Sequence, residues 1–219
     1  MRRKITGKIS PWLVVLLLIA AVSGFYAAKV VFSEQDSQPE FAALKVYPQP
    51  KPLKGIHLVD KNGQPLSEEQ LKGHWTLVFF GYTHCPDVCP TTLADMQALE
   101  KKIRQTGFTP PHVLFVSVDP ERDQPQQLKQ WIEFFNPDFQ AATGSPEAIE
   151  AFTRQVGAAY FIGEHEPGDS NYPVDHTAAI FLLDPAGRLY GLFTSPHQLP
   201  DMAADLTKLA KKKPSGSGA

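Results

Sequence analysis

Cysteine is scarce in this chain. Its 219 residues include two cysteines, Cys85 and Cys89. A disulfide between residues this close would close too small a loop to constrain much of the unfolded chain, so a purely structural disulfide is a weak explanation of the pair. A structural zinc site is also disfavoured, because such sites usually have four Cys or His ligands. The pair therefore points to thiols with a redox or metal-binding role.

Acidic residues are missing from the first 33 positions, and basic residues are in the minority after them. From Ser33 onward the chain has 16 Lys and Arg against 23 Asp and Glu, a net charge of −7. Nucleic-acid binding requires clustered basic residues that neutralise phosphates. This imbalance argues against a nucleic-acid partner. The lysines at 211–213 indicate a solvated, flexible tail over residues 211–219.

Residues 12–32 form an apolar stretch in which Lys29 is the one charged residue. The stretch is about as long as a helix that crosses the hydrocarbon core of a bilayer. Four basic residues precede it: Arg2, Arg3, Lys4 and Lys8. The positive-inside rule therefore predicts a cytoplasmic segment over residues 1–11, a transmembrane helix over 12–32 and a domain outside the cytoplasm.

The same N-terminal pattern has a second interpretation. A signal peptidase could cut near Ala21, Val22 and Ser23, which would release the domain from the membrane. The apolar run continues to Phe32, which favours a retained anchor. Because no Arg- and Ser-rich transit peptide precedes the run, we expect a single-pass protein of a bacterial inner membrane, with its soluble domain in the periplasm.

The rest of the chain is organised as a linker and one domain, with no internal repeat. Prolines alternate with other residues at 48–52, which predicts an extended linker over 33–54. Strand and helix signals then alternate over 55–210, after a small hairpin at 56–65. The predicted elements are strand 75–80, helix 90–106, strand 113–118, helix 126–135, strand 139–142, helix 147–156, strands 177–183 and 188–193, and helix 200–211. This order predicts an α/β domain with a thioredoxin-like fold, in which helices flank a mixed central sheet.

The two cysteines lie between a predicted buried strand and the helix that follows it, where open α/β folds bind their ligands. Pro90 fits the first position of that helix, so Cys89 is predicted to be its N-cap. Both thiols would then face the positive end of the helix dipole, which favours thiolate over thiol. Thiolates attack disulfides, and they also bind soft metals such as copper.

A third ligand would come from one of seven histidines: His57, His74, His84, His112, His165, His176 and His197. His84 adjoins Cys85, but adjacent side chains at the end of a strand point to opposite sides. His176 opens the predicted strand 177–183 and could face the thiols from across the site. Spacing alone leaves His176 only slightly ahead of His84. Asp175 is predicted to orient the imidazole of His176 or to screen the metal.

Three motifs resemble those of one family: GYTHCPDVCP at 81–90, VDPERD at 118–123 and VDHT at 174–177. In this order, over about residues 55–209, the sequence resembles the SCO/SenC family of thioredoxin-fold copper proteins, which help to assemble cytochrome c oxidase. The resemblance implies that Cys85, Cys89 and His176 bind copper, as Cu(I), Cu(II) or both. It also implies that the loop from Asp119 to Asp123 lies near the site.

The resemblance implies a membrane-anchored metallochaperone rather than an enzyme. Copper would pass to the dinuclear copper centre of an oxidase subunit, with a copper donor protein and a thiol reductant as further partners. The first alternative is a thiol–disulfide oxidoreductase in which Cys85 and Cys89 reduce the acceptor's cysteines before metallation. The second is a redox or copper sensor. Thioredoxin-type motifs have two residues between their cysteines rather than three, and disulfide chemistry does not require His176, so metallochaperone activity is favoured.

Overall fold

The computed structural model describes residues 11–33, 41–166 and 168–211, and the chain divides into two compact units after residue 40. In the first unit Pro11–Ser33 form helix α1. Among the helices of the described ranges, none is both long enough and apolar enough to cross a membrane. The transmembrane helix predicted over 12–32 is therefore not supported. Residues 1–10, 34–40 and 212–219, which belong to the predicted cytoplasmic segment, linker and tail, lie outside the described residues.

The described residues of the second unit, 41–166 and 168–211, form ten strands. They are β1 (Leu44–Pro52), β2 (Leu58–Asp60), β3 (Pro65–Leu66), β4 (Thr76–Gly81), β5 (His112–Ser117), β6 (Gln140–Thr143), β7 (Tyr160–Ile162), β8 (Val174–His176), β9 (Ile180–Leu183) and β10 (Arg188–Phe193). Eight of them form one sheet in the order β1-β10-β9-β4-β5-β6-β2-β3, and β7 pairs with β8 in a separate ribbon. Strands β4, β5 and β6 are parallel, while the other pairs are antiparallel.

In the same described part of the chain, four α-helices accompany the sheet. They are α2 (Val88–Gln105), α3 (Pro125–Phe135), α4 (Pro146–Val156) and α5 (Leu199–Lys211), and a short 3-10 helix covers Glu68–Leu71. Helix α2 packs against α3 and α5. The predicted α/β class with a mixed central sheet and flanking helices is confirmed.

All six residues of the central strand β4 are buried. Because successive side chains of a strand point in opposite directions, β4 is covered on both faces of the sheet. Phe79 contacts Phe115 of β5, which contacts Trp131 of α3. Phe80 points the other way and contacts Phe152 of α4. Helices α3 and α4 therefore cover opposite faces of the sheet. An apolar run without alternation, as found at 75–80, is the pattern that such a strand requires.

The predicted linker over 33–54 differs from the structure. Within it, Leu44–Pro52 form the edge strand β1, which pairs antiparallel with β10. The prolines at 48 and 50 lie where the pairing register shifts, between Val46 and Lys51. An edge strand with such an irregularity tolerates proline, because the missing N–H groups leave no ladder bond unmade. The segment is extended, as predicted, but this part of it belongs to the sheet.

The predicted strand 177–183 also differs from the structure. His176 does not open it: His176 ends β8, and β9 begins later, at Ile180. In the ribbon, His176 is paired with Tyr160, and Asp175 is paired with Phe161. Because the two sides of a ribbon alternate along each strand, His176 and Asp175 point in opposite directions.

Candidate metal centre

The thiols lie at the junction of β4 and α2, but the start of the helix differs from the prediction. Helix α2 begins at Val88 with Asp87 at the N-cap, so Cys89 is not the N-cap but lies in the first turn. Proline is compatible with any position of that turn, because the first N–H groups have no partner within the helix. Pro90 therefore did not fix the helix start. The N–H of Cys89, in this first turn, donates a hydrogen bond to Sγ of Cys85 at 3.4 Å.

His176 faces the same junction from the ribbon. Its Nε2 lies 3.3 Å from Sγ of Cys89, and its Nδ1 lies 3.3 Å from the carbonyl oxygen of Thr177. A carbonyl oxygen can only accept a hydrogen bond, so the ring proton is assigned to Nδ1. The lone pair of Nε2 consequently faces the sulfur. This is the tautomer that a metal-binding imidazole requires at that nitrogen.

The structure brings three potential ligands together. Sγ of Cys85, Sγ of Cys89 and a ring nitrogen of His176 all lie within 4.8 Å of one another. Metal–nitrogen and metal–thiolate bonds of about 2.0–2.3 Å place two donors on one ion at up to about 4.6 Å from each other. Within the described residues this is the one such group of three Cys, His, Asp or Glu side chains. The residues present fit one soft metal ion.

Burial distinguishes the two thiols. Cys89 is completely buried and Cys85 is partly exposed. Burial raises the pKa of Cys89 far above its ordinary value, despite a hydrogen bond from the Tyr82 backbone that lowers it. The sequence predicts that the helix dipole favours thiolate over thiol at both sulfurs, but at Cys89 desolvation acts in the opposite direction. A metal ion that binds there displaces the proton of Cys89.

Two aromatic rings enclose the imidazole. The rings of Phe79 and Tyr82 meet that of His176 edge-on, with centroids 5.7 and 6.1 Å away. Burial lowers the pKa of His176, against smaller opposing effects of the Thr177 carbonyl and the Asp175 charge. The imidazole is therefore neutral near pH 7 and can donate its lone pair to a metal.

The other predicted residues take different positions. His84 is 47% exposed, and its Nδ1 lies 3.1 Å from Oγ1 of Thr83, so it stands outside the group of three ligands. Asp175 is exposed on the outer side of the ribbon, and the imidazole is oriented by the Thr177 carbonyl instead. Asp119 is fully buried, where it accepts a hydrogen bond from Tyr172 at 2.7 Å.

Comparison with known proteins identifies the family. The sequence profile of SCO1/SenC matches residues 51–211. The chain belongs to the SCO1/SenC family. It is 34% identical over 151 residues to a mitochondrial SCO1 homologue of Arabidopsis thaliana, a match that covers 69% of this chain and 45% of that protein. The chain thus spans less than half the length of that relative.

Solved structures of the family are similar to the second unit. Arabidopsis thaliana ScoI with copper bound has a TM-score of 0.68 and 32% identity, covering 74% of this chain and all of that one. BsSco, described as having a disulfide switch and as a member of the Sco family of cytochrome c oxidase assembly proteins, has a TM-score of 0.60 and 25% identity. This second match covers 78% of this chain and 99% of BsSco.

Gly81 is a residue of the SCO1/SenC site that sequence analysis missed. A Cβ added to it would lie 2.5 Å from Sγ of Cys89 and 2.9 Å from the ring of Phe115. Real side chains do not approach so closely, so only glycine leaves room for the buried sulfur. A glycine at the end of a buried strand, four residues before a cysteine, was the available signal.

The loop at 119–123 contacts the segment that leads into the two cysteines. Asp123 is fully buried and accepts hydrogen bonds from the N–H of Thr83 at 2.8 Å, from its hydroxyl at 2.5 Å and from the hydroxyl of Ser117 at 2.6 Å. These bonds hold the start of the cysteine loop. Burial nevertheless raises the pKa of Asp123, although the same hydrogen bonds lower it.

Proposed function

We propose that this SCO1/SenC domain is a copper metallochaperone that delivers copper to the dinuclear copper centre of cytochrome c oxidase during its assembly. The observation that carries the proposal is the grouping of two sulfurs and one imidazole nitrogen within 4.8 Å. Thiolate ligands select soft metals such as Cu(I), and imidazole also suits copper. The family name and the copper bound to a related structure add support.

The ligand charges allow the site to hold copper in either oxidation state. Two thiolates and a neutral imidazole give a site of net charge −1 with Cu(I) and of zero charge with Cu(II). The partly exposed Cys85 is the ligand that a partner can reach, whereas Cys89 is enclosed. Copper transfer is therefore expected to begin by exchange of the Cys85 thiolate for a ligand of the acceptor.

Transfer to an acceptor tests this proposal. The copper-loaded full chain is mixed with a copper-free oxidase subunit that carries the ligands of a dinuclear copper centre, and the absorption of that centre is followed. We expect the absorption to appear with the native chain and to be absent with His176→Ala. Equal transfer by free copper and by the loaded chain, or full transfer by the His176→Ala variant, would contradict the proposal.

A second candidate function is reduction of the acceptor's cysteines before metallation. A partly exposed Cys85 beside a buried Cys89 is the arrangement of an attacking and a resolving thiol, and the N–H of Cys89 donates a hydrogen bond to Sγ of Cys85. The Cys85 thiolate would attack an acceptor disulfide and release one acceptor thiolate. Cys89 would then attack the mixed disulfide, leaving a reduced acceptor dithiol and a Cys85–Cys89 disulfide. A thiol reductant would regenerate the domain.

The two functions separate at His176. Disulfide exchange requires both cysteines and no imidazole, so His176→Ala is expected to retain reduction of an acceptor disulfide while it loses copper transfer. If oxidase assembly in cells survives that substitution intact, the reductase function is favoured.

A copper donor protein is proposed as the source of copper for the chaperone function.

We also propose that the domain acts outside the cytoplasm, attached to the bacterial inner membrane by the apolar segment at 12–32. This proposal rests on the sequence alone, on the order of basic residues and apolar stretch. Alkaline extraction of membranes, combined with protease treatment of spheroplasts, tests it. We expect the chain to stay with the membrane and the domain to be digested from outside. A soluble or protected domain would contradict the proposal.

A further inference from the structure

The two halves of the metal centre come from separate parts of the fold. The thiols follow β4 of the central sheet, whereas His176 lies in the β7–β8 ribbon, which is not part of that sheet. Hydrogen bonds such as that from Thr177 N–H to the Ala159 carbonyl at 2.9 Å join the two sides of the ribbon to each other. They do not set the distance between the imidazole and the thiols. That distance depends on contacts between the ribbon and other elements.

Arg122 contacts the connection between β7 and β8. Its Nη1 donates to the carbonyl oxygens of Ser170 at 3.0 Å and Tyr172 at 3.2 Å. Its Nε is ion-paired with Asp119, and the hydroxyl of Tyr172 donates to the same carboxylate at 2.7 Å. The Arg122 side chain is 8% exposed and that of Asp119 is completely buried. One buried ion pair therefore holds both the backbone and a side chain of this connection.

The guanidinium also contacts aromatic rings on both sides of the site. Its central carbon lies 3.6 Å from the ring centroid of Tyr172 and 5.4 Å from that of Tyr82. Tyr82 is the residue that meets the His176 ring edge-on. A planar guanidinium stacks on aromatic faces in a way that an ammonium group does not. Arg122 consequently bridges the ribbon connection and the residue that precedes the cysteine loop.

The same short loop fixes the cysteine half of the centre. Asp123, next to Arg122, binds the N–H and the hydroxyl of Thr83, two residues before Cys85. The loop at 119–123 is thus bonded to both halves of the site at once. The loop therefore links the connection of the ribbon to the start of the cysteine loop.

We propose that Arg122 is a positioning residue that sets the distance between the His176 imidazole and the two thiols. The inference rests on the proposed copper function of this site. Buried ion pairs add little net stability, because removing two charges from water costs about as much as their attraction returns. Nη2 of Arg122 is moreover buried without a hydrogen-bond partner in the described part of the chain. The contacts of Arg122 are therefore better explained by the geometry that they impose than by a gain in stability.

The two oxidation states of copper are expected to respond differently when Arg122 is replaced. Soft thiolates by themselves select Cu(I), whereas Cu(II) depends more on the imidazole nitrogen. A loosened ribbon removes the imidazole from its position and leaves the cysteine loop in place. Arg122→Met should therefore weaken Cu(II) binding much more than Cu(I) binding.

Copper titration of the full chain tests this expectation. We expect Arg122→Met to weaken Cu(II) binding about 10–100-fold, the range for loss of a group that orients a metal ligand. Its sulfur-to-Cu(II) absorption band should weaken, in the direction of the loss expected for His176→Ala, and its Cu(I) affinity should stay within a few-fold of the native value. Arg122→Lys keeps the charge but loses the planar fork, so its Cu(II) affinity should lie between those of the native chain and Arg122→Met. A native Cu(II) band in Arg122→Met would overturn the proposal.

A measurement without metal provides an independent test. Backbone amide exchange of residues 160–176 should be about tenfold faster in metal-free Arg122→Met, while exchange in β4 and β5 stays unchanged. Arg154→Met, which removes an exposed ion pair with Glu150 on α4, is the matched control and should change neither exchange nor copper binding. Unchanged exchange in the ribbon would overturn the proposal.

If Arg122→Met does not fold, Tyr172→Phe removes the hydrogen bond to Asp119 and keeps the ring, and a smaller change in the same direction is expected. If the native chain binds no copper, the proposed function fails, while amide exchange in the metal-free protein still shows whether Arg122 holds the ribbon.

Discussion

Sγ of Cys89 lies 3.3 Å from Nε2 of His176, although the two residues are 87 positions apart in the sequence. Cys89 is completely buried at this contact, while Cys85 remains partly exposed. The metal centre therefore has a closed side, formed by Cys89 and His176, and an open side at Cys85. This asymmetry suits a site that retains its metal until a partner offers a ligand at the open side.

Gly81→Ala is expected to impair the metal centre through the closed side. The new methyl group would meet Sγ of Cys89 at 2.5 Å, so the sulfur must move. We expect weaker copper binding and a loss of about 1–3 kcal/mol in the free energy of unfolding, the usual cost of overpacking. Gly144→Ala is a matched control, because its methyl group would meet Leu58 at 2.9 Å, away from the thiols. Native copper affinity in Gly81→Ala would contradict the account.

Asp175→Asn is expected to have little effect on copper binding. The carboxylate is exposed on the outer side of the ribbon, and the Thr177 carbonyl oxygen orients the imidazole. Loss of one exposed charge near the site should change copper affinity less than about threefold, because solvent screens such charges. Competition with a chromophoric chelator measures this. A tenfold loss would restore the orienting role that the sequence predicted for Asp175.

Much of the fold was predictable because its signals are local. The apolar run at 75–80 and the proline and glycine punctuation around it identify β4 and its neighbours without knowledge of the rest of the fold. The cysteine motif and the VDHT motif gave the site residues that the structure brings together. The order of the motifs gave the family, which the profile match over 51–211 confirms.

The parts that were missed depend on contacts distant in sequence. The strand character of Leu44–Pro52 comes from pairing with β10, about 140 residues later, which no local pattern of prolines reveals. The start of α2 depended on a backbone choice that Pro90 leaves open. The choice between His84 and His176 depended on the direction of the ribbon. Arg122 was overlooked because its partners, Ser170 and Tyr172, are 48 and 50 residues away.

The stacked pair His74 and His112 is expected to make the domain less stable in mild acid. The two rings are 3.7 Å apart and nearly parallel. His112 is exposed, but partial desolvation, and then the charge of His74, lowers its pKa in the folded state. The unfolded state therefore takes up more protons as the pH falls below about 6.5, and stability is lost over that range.

Urea unfolding at pH 7.5 and 5.5 tests this effect. His112→Gln removes the titrating group, so the loss of unfolding free energy between the two pH values should be smaller in the variant than in the native chain. Each protein's value at pH 7.5 serves as its own reference for any general destabilisation. An equal loss in both proteins would show that the histidine pair does not contribute.

Asp205 is expected to be the main attachment of the start of the domain. Its buried carboxylate accepts hydrogen bonds from the N–H groups of Ala42, Ala43 and Leu44, at 2.7–3.1 Å. Asp205→Asn retains one acceptor oxygen, so the free energy of unfolding should fall by about 1–3 kcal/mol. Asp201→Asn, on the exposed side of the same helix, is the control. Copper stoichiometry should stay unchanged, and native stability of the Asp205 variant would contradict this assignment.

Copper titration of the purified full chain, with each candidate histidine replaced in turn, shows which imidazole binds the metal. We expect one copper per chain and a sulfur-to-Cu(II) absorption band in the native protein and in His84→Ala. The same band should be lost in His176→Ala, because the third ligand is gone. Loss of the band in His84→Ala together with its retention in His176→Ala would contradict the account.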